Sequence, residues 1–142
     1  MTEERRFLAT MIGGKSDEEI SSFVATLGGA EPVLELVFQL MPQELDPTKA
    51  KDCVLGWEIT EGDETFMFRT EVSGGELTAE RVDPADAQAT VILSMPEFLR
   101  IIIEEVEAPK EFVAGRVRVR GNLVLAYSIP EMFPFKEKGL VG

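Results

Sequence analysis

The apolar positions in the first third of the chain recur at the spacing of α-helices. Ser16 opens the clearest helix, because Glu19 completes a capping box and apolar side chains follow at helical spacing. The two glycines at 28–29 then supply a left-handed stop. A second helix is predicted over residues 32–41, and Pro42 and Pro47 should close it.

From residue 51 the apolar period shortens to about two residues, which is typical of β-strands with one buried face. The alternation predicts four strands, at residues 53–60, 66–72, 76–82 and 87–93. Tight turns and a loop at residues 83–86 separate them. Because each strand follows the previous one so closely, the pattern predicts a meander of sequential hairpins.

A third helix, a fifth strand and a last helix complete the pattern. Ser94 caps the third helix, and Pro109 should end it before a short turn at residues 111–114. Residues 116–120 alternate arginine with valine, and Asn122 caps a final helix that Pro130 kinks or ends. Strands grouped together with helices at the ends indicate an α+β fold. We predict a five-stranded, mainly antiparallel sheet with helices packed on one face.

The length of the chain fits one domain. A chain of 142 residues buries enough surface to fold around a single core. Residues 1–15 end in a glycine pair and are interpreted as an N-terminal extension, either loosely held or partly helical. Residues 16–142 are predicted to form one α+β domain.

The charge balance and the absence of histidine exclude several kinds of site. The chain has 26 acidic and 14 basic residues, a net charge of −12 and no histidine. Histidine-dependent nucleophilic sites and zinc sites of the Cys/His type cannot be built, and a single cysteine excludes an internal disulfide. We expect no cofactor and no metal. Without histidine we also expect no switch of ligand release by mild acid.

Strong acidity also bears on partners and location. Nucleic acids and anionic lipid surfaces require clustered Lys and Arg, so nucleic acid is not expected and membrane contact should be at most transient. No apolar run approaches the length of a membrane span, and residues 1–14 lack the apolar core of a signal peptide. A lone Cys53 between apolar neighbours favours a buried thiol and is compatible with a reducing compartment. A cytoplasmic location is expected.

Two charged patterns have both a functional and a structural interpretation. The adjacent carboxylates occur at helix ends and turns, where solvated side chains are expected and a catalytic pair is not. Arg116, Arg118 and Arg120 share one face of a strand and could bind an anionic head group. The alternative is cross-strand pairing with acidic outer positions, namely Glu58, Glu71 and Glu80.

Large apolar side chains are more plentiful than a modest sheet requires. The runs at residues 101–103 and 123–125 are apolar on nearly every side. Such helices either lie deep in a core or separate a core from an apolar cavity. The composition leaves both alternatives open.

The second half of the chain resembles the sterol carrier protein type two family. The resemblance rests on ADAQATVILS at residues 85–94, EFL at 97–99 and GRVRVRGNL at 115–123, in that order and spacing. The strand that contains Trp57 and the hairpin at Gly62 fit the same order. The likeness covers roughly residues 30–135.

This resemblance implies a five-stranded sheet and helices that enclose an apolar tunnel. It implies noncatalytic binding and intracellular transfer of a lipid such as a fatty acid, a fatty acyl-CoA or a sterol-like molecule. Arg69 and Arg100 are candidates for the head group. The large apolar side chains expected to line the tunnel are Phe66, Phe68, Phe98, Ile101, Ile102, Leu123, Tyr127, Met132 and Phe133.

A second interpretation keeps the fold but changes the partner. An apolar patch on the same domain could serve as a protein-interaction or dimerisation module with no lipid ligand. Under either interpretation the protein is expected to be a monomer or a homodimer, and it is not expected to be an enzyme.

Overall fold

The computed structural model describes residues 3–133. Within them, the helices and strands follow the predicted order, with one further helix at the beginning and one before the last strand. Their bounds are α1 Glu3–Ile12, α2 Asp17–Thr26, α3 Ala30–Glu44, β1 Cys53–Glu61, β2 Glu64–Ser73, β3 Glu76–Glu80, β4 Ala89–Ser94, α4 Met95–Ile102, α5 Ala108–Val113, β5 Val117–Gly121 and α6 Leu123–Met132. The α+β prediction is confirmed.

The five strands form one mixed sheet in the order β3-β2-β1-β4-β5. Three neighbouring pairs are antiparallel, but β1 and β4 are parallel, with Leu55 opposite Ala89 and Ile59 opposite Leu93. The predicted meander is therefore wrong. After β3 the chain crosses the sheet, and Pro84 lies against Gly56 on the outer face of β1. This crossing gives the central strand β1 a partner on each side.

The inner face of the sheet supports the helices through a cluster of aromatic rings. Phe38 of α3 stacks on Phe68 of β2, with ring centroids 4.1 Å apart. The same ring lies 5.8 Å from Trp57 and 5.8 Å from Phe98. Aromatic pairs at these separations bury large apolar areas and add their own attraction. The core of the molecule lies between α3, α4 and the strands β1 and β2.

Local capping signals identified the starts of three helices correctly. Ser16 forms the predicted capping box with Glu19, and its hydroxyl accepts from the Glu19 backbone at 3.2 Å. Ser94 caps α4 and Asn122 caps α6 in the same way. The second helix continues past Pro42 and ends at Glu44, between the two prolines that were expected to close it. Pro42 is tolerated because it lies in the last turn of α3, where a proline removes only one internal hydrogen bond.

The segment after α4 also differs from the prediction. The third helix ends at Ile102, and Glu104 adopts a left-handed backbone with φ of 64°. Pro109 does not end this helix but lies in the first turn of α5, where its missing amide is tolerated. The residues interpreted as a turn at 111–114 belong mostly to α5. The chain thus forms a short helix, α5, soon after α4 ends.

The N-terminal residues form a full helix that packs on the body of the protein. Leu8 and Ile12 of α1 are buried. Arg5 is only 4% exposed, and its Nε donates to the Ile102 carbonyl at 3.0 Å. Its Nη1 lies 3.4 Å from Glu44 on α3. These contacts attach α1 to both α3 and the end of α4. The predicted boundary between an N-terminal extension and a domain that begins at residue 16 stays a prediction.

Candidate ligand-binding site

The inner face of one half of the sheet is the floor of an apolar cavity. Trp57 from β1, Val91 and Leu93 from β4, and Val117 and Val119 from β5 line this floor. The alternation of each strand directs these side chains to the same face. The cavity has a volume of about 460 Å³. This volume lies within the range of roughly 300–1,000 Å³ that is usual for small-molecule sites.

Two segments enclose the space above this floor. The first runs from α4 through the connecting residues to α5 and contributes Phe98, Ile101, Ile102, Glu104, Val106, Glu107, Ala108, Pro109 and Phe112. The second is α6 with the residue after it, which contributes Leu123, Ala126, Tyr127, Ile129, Pro130 and Phe133. Met41 of α3 closes one end. Tyr127 and Leu123 are 49% and 44% exposed, so this side of α6 also faces solvent.

The structure brings six of the nine predicted lining residues to this cavity. They are Phe98, Ile101, Ile102, Leu123, Tyr127 and Phe133. Phe66 and Phe68 are buried but do not line it. Phe68 lies under Phe38, and Arg81 covers the ring of Phe66 at 5.4 Å. Met132 is fully buried, with its sulfur 3.4 Å from the Lys51 amide.

Several lining residues were missed by sequence reasoning. Val91, Val117 and Val119 were recognised as inward-facing strand residues but not assigned to a cavity. Their alternation was a usable signal. It becomes informative only when β4 and β5 are known to lie beside Trp57, and that order depends on the unpredicted parallel pairing. Phe112 was missed because α5 was interpreted as a turn.

The two arginines expected at a head group lie elsewhere. Arg69 is on the outer face of β2, where its guanidinium bonds Asp86 at 2.8 Å and Glu71 at 3.0 Å. Arg100 pairs with Asp17 at 2.6 Å and also donates to the Lys15 carbonyl at 3.1 Å. Neither side chain lines the cavity.

The arginines at residues 116–120 support the structural interpretation in part. Arg120 forms the expected cross-strand pair with Glu58 at 2.6 Å. Arg116 instead pairs with Glu111 of α5. The expected partners Glu71 and Glu80 bind Arg69 instead of the arginines at residues 116–120. None of these arginines lines the cavity.

A buried pair of carboxyl groups joins α4 to α5. Glu97 and Glu111 are both buried, and Arg116 donates a hydrogen bond to Glu111. Burial, followed by the hydrogen bond and the charge of Glu111, raises the pKa of Glu97 to about 7. The Arg116 hydrogen bond is the main cause that lowers the pKa of Glu111. Glu97 therefore has a pKa near neutrality although the chain has no histidine, and the expectation that mild acid does not switch ligand release stays a prediction.

The thiol, the possible metal ligands and the apolar helices within residues 3–133 do not indicate a further site. Cys53 is buried, and this burial raises the pKa of its thiol, as expected for a packed apolar residue. No group of His, Cys, Asp and Glu side chains suitable for a metal ion is found in this part of the chain. No single helix in it has the length and apolar character of a membrane span, although α2 and α3 meet that test as a bent pair.

A second apolar groove lies between α1 and α3. It has a volume of about 340 Å³ and is lined mainly by Phe7, Leu8, Val33, Leu36, Val37 and Leu40. Met41 and Ile102 line both this groove and the larger cavity. These two side chains therefore stand between the two spaces.

Comparison with known proteins places this fold in a family. The model of the alkyl sulfatase C-terminal family matches residues 29–133, which include nearly all of the structure except α1 and α2. Among curated protein sequences, none matches the chain.

Solved structures show the same architecture at low sequence identity. The inverting sec-alkylsulfatase from Pseudomonas sp. matches with a TM-score of 0.62 and 22% identity over 70% of this chain, but only 16% of that chain is covered. Sterol carrier protein 2 from Yarrowia lipolytica, in its apo form, matches with a TM-score of 0.57 and 17% identity, covering 72% of this chain and 91% of that one.

A third match contains a ligand. Sterol carrier protein 2 from Aedes aegypti, in complex with palmitate, matches with a TM-score of 0.53 and 17% identity. The match covers 71% of this chain and 94% of that one. The chain thus spans nearly the whole of the sterol carrier proteins but a small part of the sulfatase. The predicted sterol carrier fold is confirmed.

Proposed function

Because the chain belongs to the alkyl sulfatase C-terminal family, we propose that it binds a lipid-like ligand in its apolar cavity without chemical reaction. The observation that carries this proposal is the cavity itself. Its walls come from β1, β4 and β5 on one side and from α4, α5 and α6 on the other. The match to a palmitate-bound sterol carrier protein supports the proposal.

The energetics favour an elongated apolar ligand. Each methylene moved from water into such a cavity contributes about 0.8 kcal/mol. Immobilising the ligand costs several kcal/mol, so a long alkyl chain or a sterol-like ring system is needed for tight binding. The cavity volume of about 460 Å³ suits a ligand of that size.

The side chains around the cavity support a binding role and not a catalytic one. Among the described lining residues, the ionisable ones are Glu104, Glu107 and Tyr127. General acid and base catalysis requires two groups with different affinities for a proton, held together at one reacting atom. The pair with divergent pKa values, Glu97 and Glu111, does not line the cavity.

Transfer of the ligand through water is part of the proposal. A net charge of −12 opposes lasting contact with anionic membranes. We infer a cytoplasmic carrier that meets membranes only transiently, as a monomer or homodimer. Preference for anionic over neutral vesicles in a transfer assay would contradict this.

The proposal is tested by filling the cavity. Trp57 is the sole tryptophan and lines the cavity, so its fluorescence should report occupancy by added dodecanol. Ala126→Phe places a ring inside the cavity and should weaken binding at least tenfold. Ala25→Phe makes the same substitution on an exposed position of α2 and should leave binding unchanged. Equal binding by both variants, or no binding by the unmodified protein, would contradict the proposal.

An exposed apolar surface favours the interaction module as a second candidate. On α6, Val124 is 78% exposed beside the half-exposed Leu123 and Tyr127, and Val113 of α5 is 81% exposed. Exposed apolar patches of this kind often bind proteins. A mass in light scattering that rises with protein concentration and falls in Val124→Glu, with no lipid in native mass spectra, would favour this function.

A further inference from the structure

The charges at the cavity indicate which head group its ligand carries. We propose that the cavity selects an amphiphile with an ammonium or hydroxyl head that donates a hydrogen bond to Glu104, and that it discriminates against carboxylate and sulfate heads. This inference rests on the proposed function, because it names the ligand class for the same cavity. It departs from the fatty acid and acyl-CoA ligands implied by the family resemblance.

Glu104 is the central residue of this inference. It is half-buried and lines the cavity just beyond the end of α4. Among residues 3–133, no Lys or Arg lies within ion-pair distance of its carboxylate, and no side chain donates to it. A carboxylate at a cavity that receives no hydrogen bond from the protein can accept one from a ligand that brings a donor.

The backbone at this position holds the side chain at the cavity. Glu104 has φ of 64°, and its amide donates to the Ile101 carbonyl at 3.1 Å. Residues with a β-carbon adopt this region rarely and at a cost. The left-handed backbone at Glu104 is therefore part of the turn that follows α4 at the cavity.

A second carboxylate lines the cavity and makes the electrostatic potential there more negative. Glu107 lies at the cavity, and its Oε2 is 3.1 Å from the ammonium group of Lys110. Both side chains of this pair are mostly exposed, so water screens the attraction between them. Lys110 does not line the cavity and is already directed to an acidic partner.

The nearby arginines are likewise engaged with acidic side chains. Arg116 binds Glu111, and Arg100 binds Asp17 and lies 3.6 Å from Glu105. An anionic head group at this cavity would therefore meet carboxylates and no lining cation among the described residues. Low-dielectric apolar walls strengthen this repulsion, and the net charge of −12 acts in the same direction.

The test compares four ligands that share one alkyl chain. Dodecylamine, dodecanol, dodecanoate and dodecyl sulfate are titrated below micelle formation at neutral pH, with Trp57 fluorescence as the readout. We expect the amine and the alcohol to bind at least about tenfold more tightly than either anion. Raising the salt concentration should reduce the difference in affinity between the amine and the anions, because screening weakens both attraction and repulsion.

Substitution of Glu104 assigns the selectivity to one carboxylate. Glu104→Gln should reduce the preference for the amine over dodecanoate by about tenfold. Glu64→Gln removes the same charge from an exposed hairpin position outside the cavity and should leave the preference unchanged. Glu104→Asn is a second variant, since asparagine tolerates the left-handed backbone, and circular dichroism verifies that both variants fold.

The outcomes separate this inference from the proposed function. If none of the four ligands binds, the proposed function fails and the inference fails with it. If ligands bind but the anions bind as tightly as the amine, the cavity binds lipids and the head-group assignment is overturned. Equal behaviour of Glu104→Gln and Glu64→Gln would also overturn it.

Discussion

The indole nitrogen of Trp57 donates a hydrogen bond of 2.9 Å to the hydroxyl of Thr70 inside the protein. Thr70 is fully buried on β2, one strand away from Trp57 on β1. A buried indole that has its partner keeps one orientation, and this bond directs the ring toward the cavity that it lines. The bond therefore connects the stability of the sheet to the shape of the site.

Removing this hydrogen bond should destabilise the fold. Thr70→Val keeps the volume of the side chain but leaves the Trp57 N–H buried without an acceptor. We expect a loss of about 1–3 kcal/mol in the free energy of unfolding, measured by urea denaturation. Thr65→Val, at an exposed position of the same strand, should change it by less than about 0.5 kcal/mol. Equal effects of the two variants would contradict a role for the bond.

Shortening Phe98 should act on both stability and the cavity. The ring is 2% exposed, stacks near Phe38 and also lines the cavity. Phe98→Ala should cost about 3 kcal/mol, at the lower end of the usual range, because one side of the ring already borders empty space. It should also shift binding toward bulkier ligands. Phe7→Ala, at a position 52% exposed, serves as the control and should cost far less.

A methyl group at Gly56 should disturb the crossing from β3 to β4. A β-carbon there would lie 2.6 Å from the Thr90 hydroxyl and 2.8 Å from Pro84. Because both neighbours belong to packed structure, Gly56→Ala should cost about 1–3 kcal/mol of stability. Thermal unfolding of this variant beside Gly62→Ala, whose added carbon meets open space but whose φ is 60°, separates crowding from backbone strain. Unchanged stability in Gly56→Ala would refute the close contact.

The buried arginine of α1 should be essential for stability. Arg5→Met removes the partner of Glu44 and the donor to the Ile102 carbonyl. Breaking such a buried pair typically costs about 3–5 kcal/mol, because one charge stays behind without compensation. Arg6→Met, at an exposed position of the same helix, should cost much less in urea denaturation. Equal costs would mean that α1 is held only by its apolar residues.

Glu97 should make stability depend on pH near neutrality. Its pKa is raised to about 7 in the fold from an ordinary value of 4.5, so the folded state holds a proton that the unfolded state has lost. Stability from this group is fully present below about pH 4.5 and is lost as the pH rises through about 7. Glu111, whose pKa is lowered, acts in the opposite sense and loses its contribution as the pH falls below its ordinary range.

Glu97→Gln isolates this effect. The amide stays neutral, so the variant should gain about 1–3 kcal/mol over the unmodified protein at about pH 8 and much less at about pH 5. The charged groups around it, Glu111, Arg116 and Arg100, are unchanged. Denaturation at both pH values, with Glu64→Gln as the control, measures the difference. A gain that is equal at both pH values would contradict a titration of Glu97.

Local features of this fold were predictable from the sequence, and pairings between distant segments were not. Ser16 and Asn122 cap their helices through hydrogen bonds three residues away, so the sequence contains both partners within one short window. The parallel pairing of Leu55 with Ala89 depends instead on how the chain crosses the sheet. Alternation identifies strands, but it does not order them.

The site was predictable only where the surroundings of a residue could be inferred. Phe68 has the size and pattern of a cavity residue, yet Phe38 of a distant helix covers it. Glu97 looks like an ordinary first-turn carboxylate, and its burial beside Glu111 follows from the position of α5. Leu123 and Tyr127 were recognised because α6 is apolar nearly all round, a property of the segment itself.

The residues that line the cavity are nearly contiguous in the chain. Apart from Met41 and Trp57, the lining residues among those described lie between Val91 and Phe133. Ligand preference can therefore change by substitutions in one uninterrupted stretch, while the stacked pair of Phe38 and Phe68 lies outside it. Related chains should diverge most within this stretch where their ligands differ, and it is the natural segment to exchange when a new ligand is to be engineered.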